Sequence, residues 1–586
     1  MKRRSLLIIG ALAFSSIIGL TSCNNESPII DKVDDIIEDA TLELDYNSEY
    51  VDVSIIQSDE KIYSGKEIKL EVKVKDPLNY AFVYATLNNE KIEDLNKILL
   101  VKGTNIINIY VKSIFVQEGT TNLRDFTFNK NSDDTYSITG YYPSGNVPSI
   151  LDIPSSYLGK KVKSIDFIID STGASLSNYS FSMIDEIHIS ENIETINAQA
   201  FMNTQSIKKY SVDKNNKYFT SVGDCLFSKD QKTLISAPRN TISNFKIPES
   251  TETIARYAFY KNLNIINPVF NENLKVIEEN AFEGCNNLRT VHLKNNVTTI
   301  KESAFKTCSV LDDVILSTSL TELNSYVFRD CGYLREIEIP GSVKKIHPWA
   351  FFNDLRLKNV TFNEGIEELL SSSFSYTGVK NVILPSTIRT LGSNCFTGCD
   401  YLENITLNEG LEEIGDYCFN IVKLLEKINI PSTLKTIGKG AFTACLSLTS
   451  FDVSSSNPNF ASVDGVLFSK DLTSLIAYPS AKDVKEYTIP STVTKLAFRC
   501  FNYVSNNPYE EVYECFSVEK VIIPTSVVTF ENPFYGALLK NVTYLGNVDD
   551  FKALDTTYVY EGETYDWYSG SVFKTLHCLD GDIVYE

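Results

Sequence analysis

A period of 23 residues constrains the fold of this chain more than any other feature of its sequence. Phenylalanine, most often preceded by a small residue, recurs at this spacing with one step of 22 residues, between Phe374 and Phe396. Each Phe is followed by a Leu-x-x-Ile/Val-x-Ile/Leu pattern, as at Leu334, Ile337 and Ile339. Self-similarity at a fixed period predicts stacked repeats. The nine consecutive positions are Phe259, Phe282, Phe305, Phe328, Phe351, Phe374, Phe396, Phe419 and Phe442.

Each repeat contains two kinds of segment. The Ile-x-Ile alternation predicts a short half-buried strand, because successive side chains of a strand point to opposite faces. The segment from Glu302 to Phe305 is typical of a turn of helix with the Phe directed inward. One such coil cannot cover its own apolar face, whereas stacked coils bury a continuous column. We therefore expect a solenoid with short parallel strands on one face and short helical turns or loops on the other.

Particular stretches carry a family resemblance. Residues 300–320 (IKESAFKTCSVLDDVILSTSL) and 323–343 (LNSYVFRDCGYLREIEIPGSV) resemble the BspA-like leucine-rich-repeat surface lipoprotein family, and an Ile-Pro-x-Ser/Thr link returns at 430–434 and 489–493. The resemblance covers residues 124–586, including an entry segment at 136–165 and an ending at 577–586. It implies a leucine-rich-repeat solenoid, and it implies surface adhesion as a function.

Two longer steps interrupt the period. From Phe201 to Phe259 and from Phe442 to Phe501 the spacing grows to 58 and 59 residues, so each step holds an insertion. The inserted texts correspond to each other and contain Ser-Lys-Asp between apolar runs. This pattern predicts β-hairpins that project from the solenoid at about 212–247 and 454–489.

The region before the repeats has no 23-residue period. Strand-like runs at Val51–Ile56, Glu67–Val74, Tyr80–Leu87 and Asn105–Phe115 alternate with polar turns. We expect residues 45–118 to form a small all-β sandwich of immunoglobulin-like type. Its expected role is to space the solenoid from a membrane.

The first residues have the pattern of an export signal. A basic start is followed by an apolar run from Leu6 to Leu20, which is shorter than a membrane-spanning helix requires. The following Leu-Thr-Ser-Cys box resembles the bacterial lipoprotein signal, which implies cleavage before Cys23 and its diacylation. Residues 1–23 would then be a lipoprotein signal peptide and 24–44 a tether. An ordinary signal peptide that ends near a cysteine is the alternative.

The charge balance narrows the choice of partners. With 75 acidic and 54 basic side chains, the net charge is −21. Nucleic-acid binding depends on clustered Lys and Arg, so this balance excludes a nucleic-acid partner from our expectations. It also argues against adsorption to an anionic lipid surface, which leaves the lipid on Cys23 as the expected link to the membrane.

Catalytic and metal-binding patterns are not apparent. The chain has four histidines and none lies in a His-Glu-x-x-His or comparable motif. Most cysteines occupy recurring positions, three residues after or one before a repeat Phe, which favours small apolar packing positions over disulfides or zinc ligands. Adjacent glutamates recur from coil to coil, as scaffolding does and a unique active site does not. We expect no enzymatic activity, no metal and no cofactor.

The remaining candidate site is the outward side chain of each strand. These side chains include two exposed isoleucines in a mixed polar row, a hint of a contact surface. We expect a binding protein on the cell exterior that contacts an extracellular protein or glycan of a host or neighbouring cell. A structural or self-associating envelope component without a foreign ligand is the alternative, and the oligomeric state is open. The candidate residues are His292, Ile315, Glu338, Thr361, Ile383, Thr406 and Asn429.

Overall fold

The structure, a computed structural model, contains two compact units. The first comprises residues 1–200 and 211–218, the second residues 201–210 and 219–586. In the described residues, helix is confined to Val548–Lys552 and a 3-10 turn at Leu123–Asp125, and neither is long or apolar enough to cross a membrane. The described residues are 4–8, 40–46, 51–56, 62–75, 80–113, 123–142, 149–166, 184–202, 207–239, 243–501, 518–560 and 562–585.

Two sheets with a shared hydrophobic core begin the first unit. One runs in the order Arg4–Ile8, Ala40–Tyr46, Gly103–Ser113, Tyr80–Leu87, Glu90–Lys91, and the other in the order Val51–Ile56, Glu67–Val74, Ile98–Leu99.

The predicted tether overlaps the first of these sheets. Residues 40–44 lie in a strand because Leu42 and Leu44 alternate inward and are buried. Arg4–Ile8, which belongs to the predicted signal peptide, pairs antiparallel with Ala40–Tyr46. Residues 9–39 lie outside the described part of the chain, so the cleavage of residues 1–23 and the lipidation of Cys23 stay predictions. The immunoglobulin-like type of the sandwich also stays a prediction.

Parallel pairing, present in the first sheet between Ala40–Tyr46 and Gly103–Ser113, recurs in the rest of the first unit. Lys160–Ile165 pairs in parallel with Tyr136–Tyr141 on one side and with Thr195–Ile196 on the other. The inward residues Val162 and Ile165 are fully buried. The strands are Phe126–Lys130, Tyr136–Tyr141, Ile150–Asp152, Ser156–Tyr157, Lys160–Ile165, Glu186–Ile189 and Thr195–Ile196, with Lys209–Val212 at the boundary of the two units.

The second unit is the predicted solenoid, and each regular coil contributes two strands. Strands of neighbouring coils pair in parallel, residue for equivalent residue, as Ile337 with Val360. We call the first set the long-strand row: Thr290–His292, Asp313–Ile315, Glu336–Ile339, Asn359–Phe362, Asn381–Ile383, Asn404–Thr406, Lys427–Ile430 and Ser450–Val453. We call the second set the short-strand row: Thr253–Ile254, Val276–Ile277, Thr299–Ile300, Glu322–Leu323, Lys345–Ile346, Glu368–Leu369, Thr390–Leu391, Glu413–Ile414 and Thr436–Ile437.

The repeat phenylalanines form a continuous stack between the strands and the turns. Successive rings from Phe259 to Phe442 lie 4.7–5.8 Å apart and are nearly parallel. This distance exceeds the strand spacing of about 4.8 Å in most steps. The rings are buried in one hydrophobic cluster, so the stack connects the coils from Phe259 to Phe442.

The segment around each Phe consists of turns and not of helix. In one coil, Ser303 and Thr307 both have positive φ, 58° each, which interrupts any helical path. The N–H groups of Ser303, Phe305 and Thr307 donate to carbonyl oxygens of the next coil at 2.7–3.0 Å. The turn segments therefore form a third hydrogen-bonded ladder between coils, which satisfies backbone groups that a single coil leaves open.

The cysteines occupy the packing positions that their spacing predicts. The described cysteines are free, and all except Cys578 are buried. The thiols of Cys285, Cys308 and Cys331 donate to the carbonyl oxygen of the Phe in the preceding coil, at 3.0–3.3 Å. Burial raises the pKa of the Cys285 thiol to about 12, so these thiols remain protonated and unreactive at neutral pH.

The two insertions do not project from the solenoid as the sequence suggested. Each forms a hairpin whose two-residue turn has positive φ at both positions, Gly223-Asp224 and Asp464-Gly465. A third strand then pairs in parallel with the next short strand, so the insertion becomes part of the sheet. Phe227 and Phe468 are buried, and burying their rings favours this packing. The strands are Phe219–Val222, Cys225–Ser228, Thr233–Ser236, Phe460–Val463, Val466–Ser469 and Ser474–Ala477.

The last segment closes the solenoid with antiparallel strands. The final sheet runs in the order Glu486–Thr488, Lys520–Ile523, Asn541–Tyr544, Thr575–Cys578, Gly581–Val584, and its last pair is antiparallel. Lys495–Leu496 and Thr529–Phe530 extend the short strands, and Thr557–Tyr560 pairs with Glu563–Asp566. Trp567 is buried among Phe530, Phe551 and Phe573, which gives this end an aromatic core of its own.

Candidate functional site

The long-strand row places one side chain of each coil outward between two inward ones. In Glu336–Ile339, for example, Ile337 and Ile339 are buried while Glu338 is exposed. The alternation follows from strand geometry, and the hydrophobic column leaves only this register. The structure therefore puts the predicted residues on one surface, which we call the long-strand face. All seven are exposed: His292, Ile315, Glu338, Thr361, Ile383, Thr406 and Asn429.

Parallel pairing brings these residues into neighbouring positions. His292 lies beside Ile315, Glu338 beside Thr361, and Ile383 beside Thr406 as Cα partners. Asn429 is paired with Asp452 in the same way. Because paired positions point the same way, the predicted residues lie along one face of the second unit.

Polar contacts between side chains, some of them with carboxylates, restrain the residues around this face. The Asn404 amide donates to Asn381 Oδ1 at 2.8 Å, and the Asn363 amide donates to Glu338 Oε1 at 2.9 Å. His292 Nε2 lies 2.6 Å from Asp313 Oδ2, so a carboxylate orients this imidazole. Such contacts fix side chains without filling the space above them.

Two isoleucines stand out on the long-strand face. Ile315 is 52% exposed and Ile383 is 68% exposed. Burial of apolar surface is the main favourable term in most protein association. Water therefore covers two large aliphatic side chains whose burial would stabilise a complex.

The short strands present a different surface, which we call the short-strand face. Its charged side chains pair between neighbouring coils: Glu252 contacts Lys232 at 2.7 Å and Lys275 at 2.6 Å, and Lys345 contacts Glu368 at 2.9 Å. Hydrogen bonds to Lys232 and Lys275 hold the pKa of the Glu252 carboxyl below its ordinary value. This face satisfies its own charges.

An aromatic group on the turn side is a surface that sequence reasoning missed. The rings of Tyr326 and Trp349 stack at 5.1 Å, and the Arg329 guanidinium lies over Tyr326 and Phe352. Trp349 is partly exposed. The available signal was that Tyr326 and Trp349 both stand two residues before a repeat Phe, a position that points away from the core.

Chemistry-bearing clusters do not assemble in the described residues. Nowhere in that part of the chain do three or more His, Cys, Asp or Glu side chains group so that they could hold a metal ion. The repeated glutamate pairs lie on the short-strand side, where Lys344 contacts Glu367 and Lys435 contacts Glu412. The surfaces described above are suited to noncovalent contact.

Comparison with known proteins supports the repeat assignment. The model of the BspA type leucine rich repeat region matches residues 107–234, 237–358 and 349–471. No curated protein matches the chain significantly.

Solved structures of similar proteins come from several bacteria. A leucine-rich repeat protein from Bacteroides ovatus is 22% identical, with 78% of this chain and 99% of that chain covered and a TM-score of 0.43. The pneumococcal vaccine antigen PcpA is 22% identical, with 56% and 80% covered and a TM-score of 0.32. A leucine rich cell surface protein from Faecalibacterium prausnitzii is 18% identical, with 77% and 99% covered and a TM-score of 0.32.

The matched segments together span more than half of the 586 residues, and they coincide with the coils whose strands and stacked rings are described above. The chain belongs to the BspA-type leucine-rich-repeat family.

Proposed function

We propose that this protein is a lipid-anchored binding protein of the cell exterior. In this proposal the lipid on Cys23 holds it to a membrane, and the long-strand face contacts an extracellular protein or glycan of a host or neighbouring cell, as an adhesin does. Family membership and a non-enzymatic repeat scaffold support the general role. The binding surface and the anchor are the specific parts of the proposal.

The exposed isoleucines of the long-strand face carry the proposal. Ile315 and Ile383 lie in a row that is otherwise polar, whereas the charged pairs that cross between coils on the short-strand face are already satisfied. The buried core of an interface is depleted in charged residues and enriched in apolar contact. The long-strand face meets that description better than the short-strand face.

A binding screen with a matched control tests this surface. The purified protein is applied to immobilised extracellular-matrix proteins and glycans beside the variant Ile315→Lys/Ile383→Lys. The control Thr299→Lys/Thr390→Lys adds the same two charges to the short-strand face. We expect the first variant to lose binding at least tenfold, since a lysine in an apolar contact leaves a desolvated charge, and the control to bind normally. Equal binding by all three proteins would contradict the assignment.

The lipid anchor has its own test. Mass spectrometry of the N-terminal peptide from membrane fractions should show a diacylglycerol-modified Cys23, and Cys23→Ser should release the protein from the membrane. An unmodified mature N-terminus at another position would support the ordinary signal peptide instead.

Self-association is a second candidate function, and one observation favours it. Gly581–Val584 is the last strand of its sheet, and Leu579 and Val584 are 69% and 71% exposed. An outermost strand with apolar side chains is a template for pairing with another chain. Sedimentation at increasing concentration should then show oligomers that Val584→Lys abolishes; a monomer at all concentrations would exclude this reading.

A further inference from the structure

A cavity of about 290 Å³ opens on the turn side of the first regular coils of the second unit. Three of its lining residues, Lys261, Gly284 and Thr307, stand two residues after the repeat Phe of successive coils. The cavity is therefore formed by the turn ladder and lies outside both strand rows.

Gly284 makes room for this cavity. Its φ is +73°, and a Cβ at this position would lie 2.9 Å from Cγ of Lys261. The equivalent residue of most other coils carries a side chain, for example Asn353, also at positive φ, whereas Gly398 is a second glycine at this position. The absence of a side chain at Gly284 opens the cavity floor and lets the stem of Lys261 lie along it.

Two cations face the cavity. Arg239, which lies just after the last strand of the first insertion, donates to the carbonyl oxygens of Met202 and Lys261. These contacts hold the guanidinium in place beside the cavity. Burial lowers the pKa of the Arg239 guanidinium. The phenols of Tyr210 and Tyr260 and the thiol of Cys285 oppose this shift. The Lys261 ammonium lies 5.0 Å from the centre of the Tyr260 ring, which keeps it beside the cavity.

The acidic lining residue has partners of its own. Glu283 accepts a hydrogen bond from the Asn280 amide at 2.6 Å and contacts Lys306 Nζ at 3.0 Å. Lys306 therefore compensates its charge, and the cavity keeps a positive character in a chain of net charge −21. A cationic recess in an acidic protein favours a negatively charged ligand group.

We propose that this cavity binds an acidic sugar residue, of the uronic or sialic acid class, at the end of a glycan. Arg239 and Lys261 bind the carboxylate, for which a planar guanidinium has matching geometry. The Asn286 amide and the Thr307 hydroxyl provide hydrogen bonds to sugar hydroxyls, and half-exposed Leu263 provides an apolar wall for the ring. The volume, at the lower end of ligand sites, suits one monosaccharide.

Saturation-transfer NMR with defined sugars tests this site on the purified protein. We expect transfer to N-acetylneuraminic acid and glucuronic acid, and at least tenfold weaker binding of their methyl esters and of glucose. A hydrogen bond to a charged group contributes about 1.5–3 kcal/mol, or roughly 10-fold or more in affinity. Lys261→Gln should therefore weaken binding of the acidic sugars at least tenfold. Lys358→Gln, which removes an exposed lysine elsewhere, should leave this affinity unchanged.

A second variant separates binding from folding. Gly284→Asn fills the cavity with a side chain that already occupies the same position in another coil, at Asn353. The variant should therefore keep its unfolding midpoint and no longer bind the sugars. Failure of both acidic sugars to bind, or binding that survives Lys261→Gln and Gly284→Asn, would overturn the proposal. So would binding of an acidic peptide in place of any sugar. The site is independent of the long-strand face: Ile315→Lys/Ile383→Lys should leave sugar binding intact.

Discussion

The long-strand face and the short-strand face arise from the same repeat but have opposite surface chemistry. In each, neighbouring strands that pair do so in parallel with equivalent residues opposite each other, and each covers the same buried column. On the short-strand face, charged side chains of neighbouring coils contact one another, as Lys345 and Glu368 do at 2.9 Å. On the long-strand face, side chains such as Ile315 and Ile383 face water. A repeat thus determines where a side chain points and leaves its identity open.

This difference shows that one repeat can present two chemically distinct surfaces. Ion pairs between coils restrain the short-strand face and satisfy its polar groups internally. On the long-strand face, hydrogen bonds such as that from the Asn404 amide to Asn381 Oδ1 leave the outward isoleucines uncovered.

The largest expected effect is a loss of stability in the coils that carry both faces. Phe351→Ala removes a buried ring from the phenylalanine stack and should lower the free energy of unfolding by about 3–5 kcal/mol. Phe352→Ala removes the neighbouring ring, which is only half-buried. Loss of its contacts with Tyr376 and Arg329 should cost about 1 kcal/mol. Urea denaturation of both variants measures the difference, and equal losses would show that the stack is not the shared support.

A smaller effect on stability concerns a buried carboxyl group that lacks one hydrogen-bond partner. Asp354 is fully buried at the position where neighbouring coils have Cys331 and Thr377, and its Oδ2 has no hydrogen-bond partner. Its Oδ1 accepts a hydrogen bond from the Cys331 N–H at 2.7 Å. Leaving a buried polar atom unsatisfied costs about 1–3 kcal/mol. Asp354→Cys should therefore stabilise the protein by this amount at pH 7.

The same residue predicts a pH dependence with a definite sign. Burial, with the Asp330 charge adding to it, raises the pKa of the Asp354 carboxyl well above its ordinary value. The unfolded chain therefore ionises first, and wild-type stability falls as pH rises from about 4 through the folded-state pKa. Denaturation from pH 3 to 8 should show this fall in wild type and not in Asp354→Asn. A parallel profile for the two proteins would contradict it.

The third effect is a difference between the two faces in how the loss of one carboxylate changes Tm with salt. Glu252→Gln removes the carboxylate that links Lys232 and Lys275, whose hydrogen bonds lower its pKa. Stability from Glu252 is present above the unfolded carboxyl pKa and is lost as pH falls through the lower folded-state pKa. We expect a small decrease in Tm at neutral pH that 1 M salt removes, because salt screens exposed charges. The matched change Glu338→Gln, on the long-strand face beside the Asn363 amide, should show no such salt dependence.

The smallest effect on stability should accompany a change in binding. Ile315→Thr and Ile383→Thr give these positions the residue type found at Thr361 and Thr406 on the same face. Exposed substitutions of this kind stay within about 0.5 kcal/mol, so denaturation should not distinguish them from wild type. Partner binding should nevertheless weaken. A loss above about 1 kcal/mol in stability would mean that these side chains support the coil.

Much of the solenoid was accessible from the sequence because its contacts are periodic. The spacing of Phe259 and Phe282 predicts a stack, and the Ile-x-Ile alternation predicts which residues face outward. The insertions show the limit of this reasoning. Their hairpin strands are readable, but burial of Phe227 and Phe468 and the parallel pairing of the third strand depend on the coil that follows.

Other features depended on contacts that no local pattern contains. The predicted tether includes residues 40–44 of the strand Ala40–Tyr46, because these five residues carry little signal without the partner strand Gly103–Ser113. The stacked Tyr326 and Trp349 and the cavity at Gly284 involve residues from different coils at the same repeat position. Their neighbours are set by the stacking of coils.

By itself, the sequence determined the period, the parallel solenoid and the outward row, because each follows from spacing along one chain. Only the tertiary structure decided the turn ladder with positive φ at Ser303 and Thr307, the integration of the insertions, the burial of Asp354 and the cationic cavity beside Arg239. The physical reason is that a repeat specifies direction and distance within a coil. Burial, charge pairing and empty space arise where coils meet.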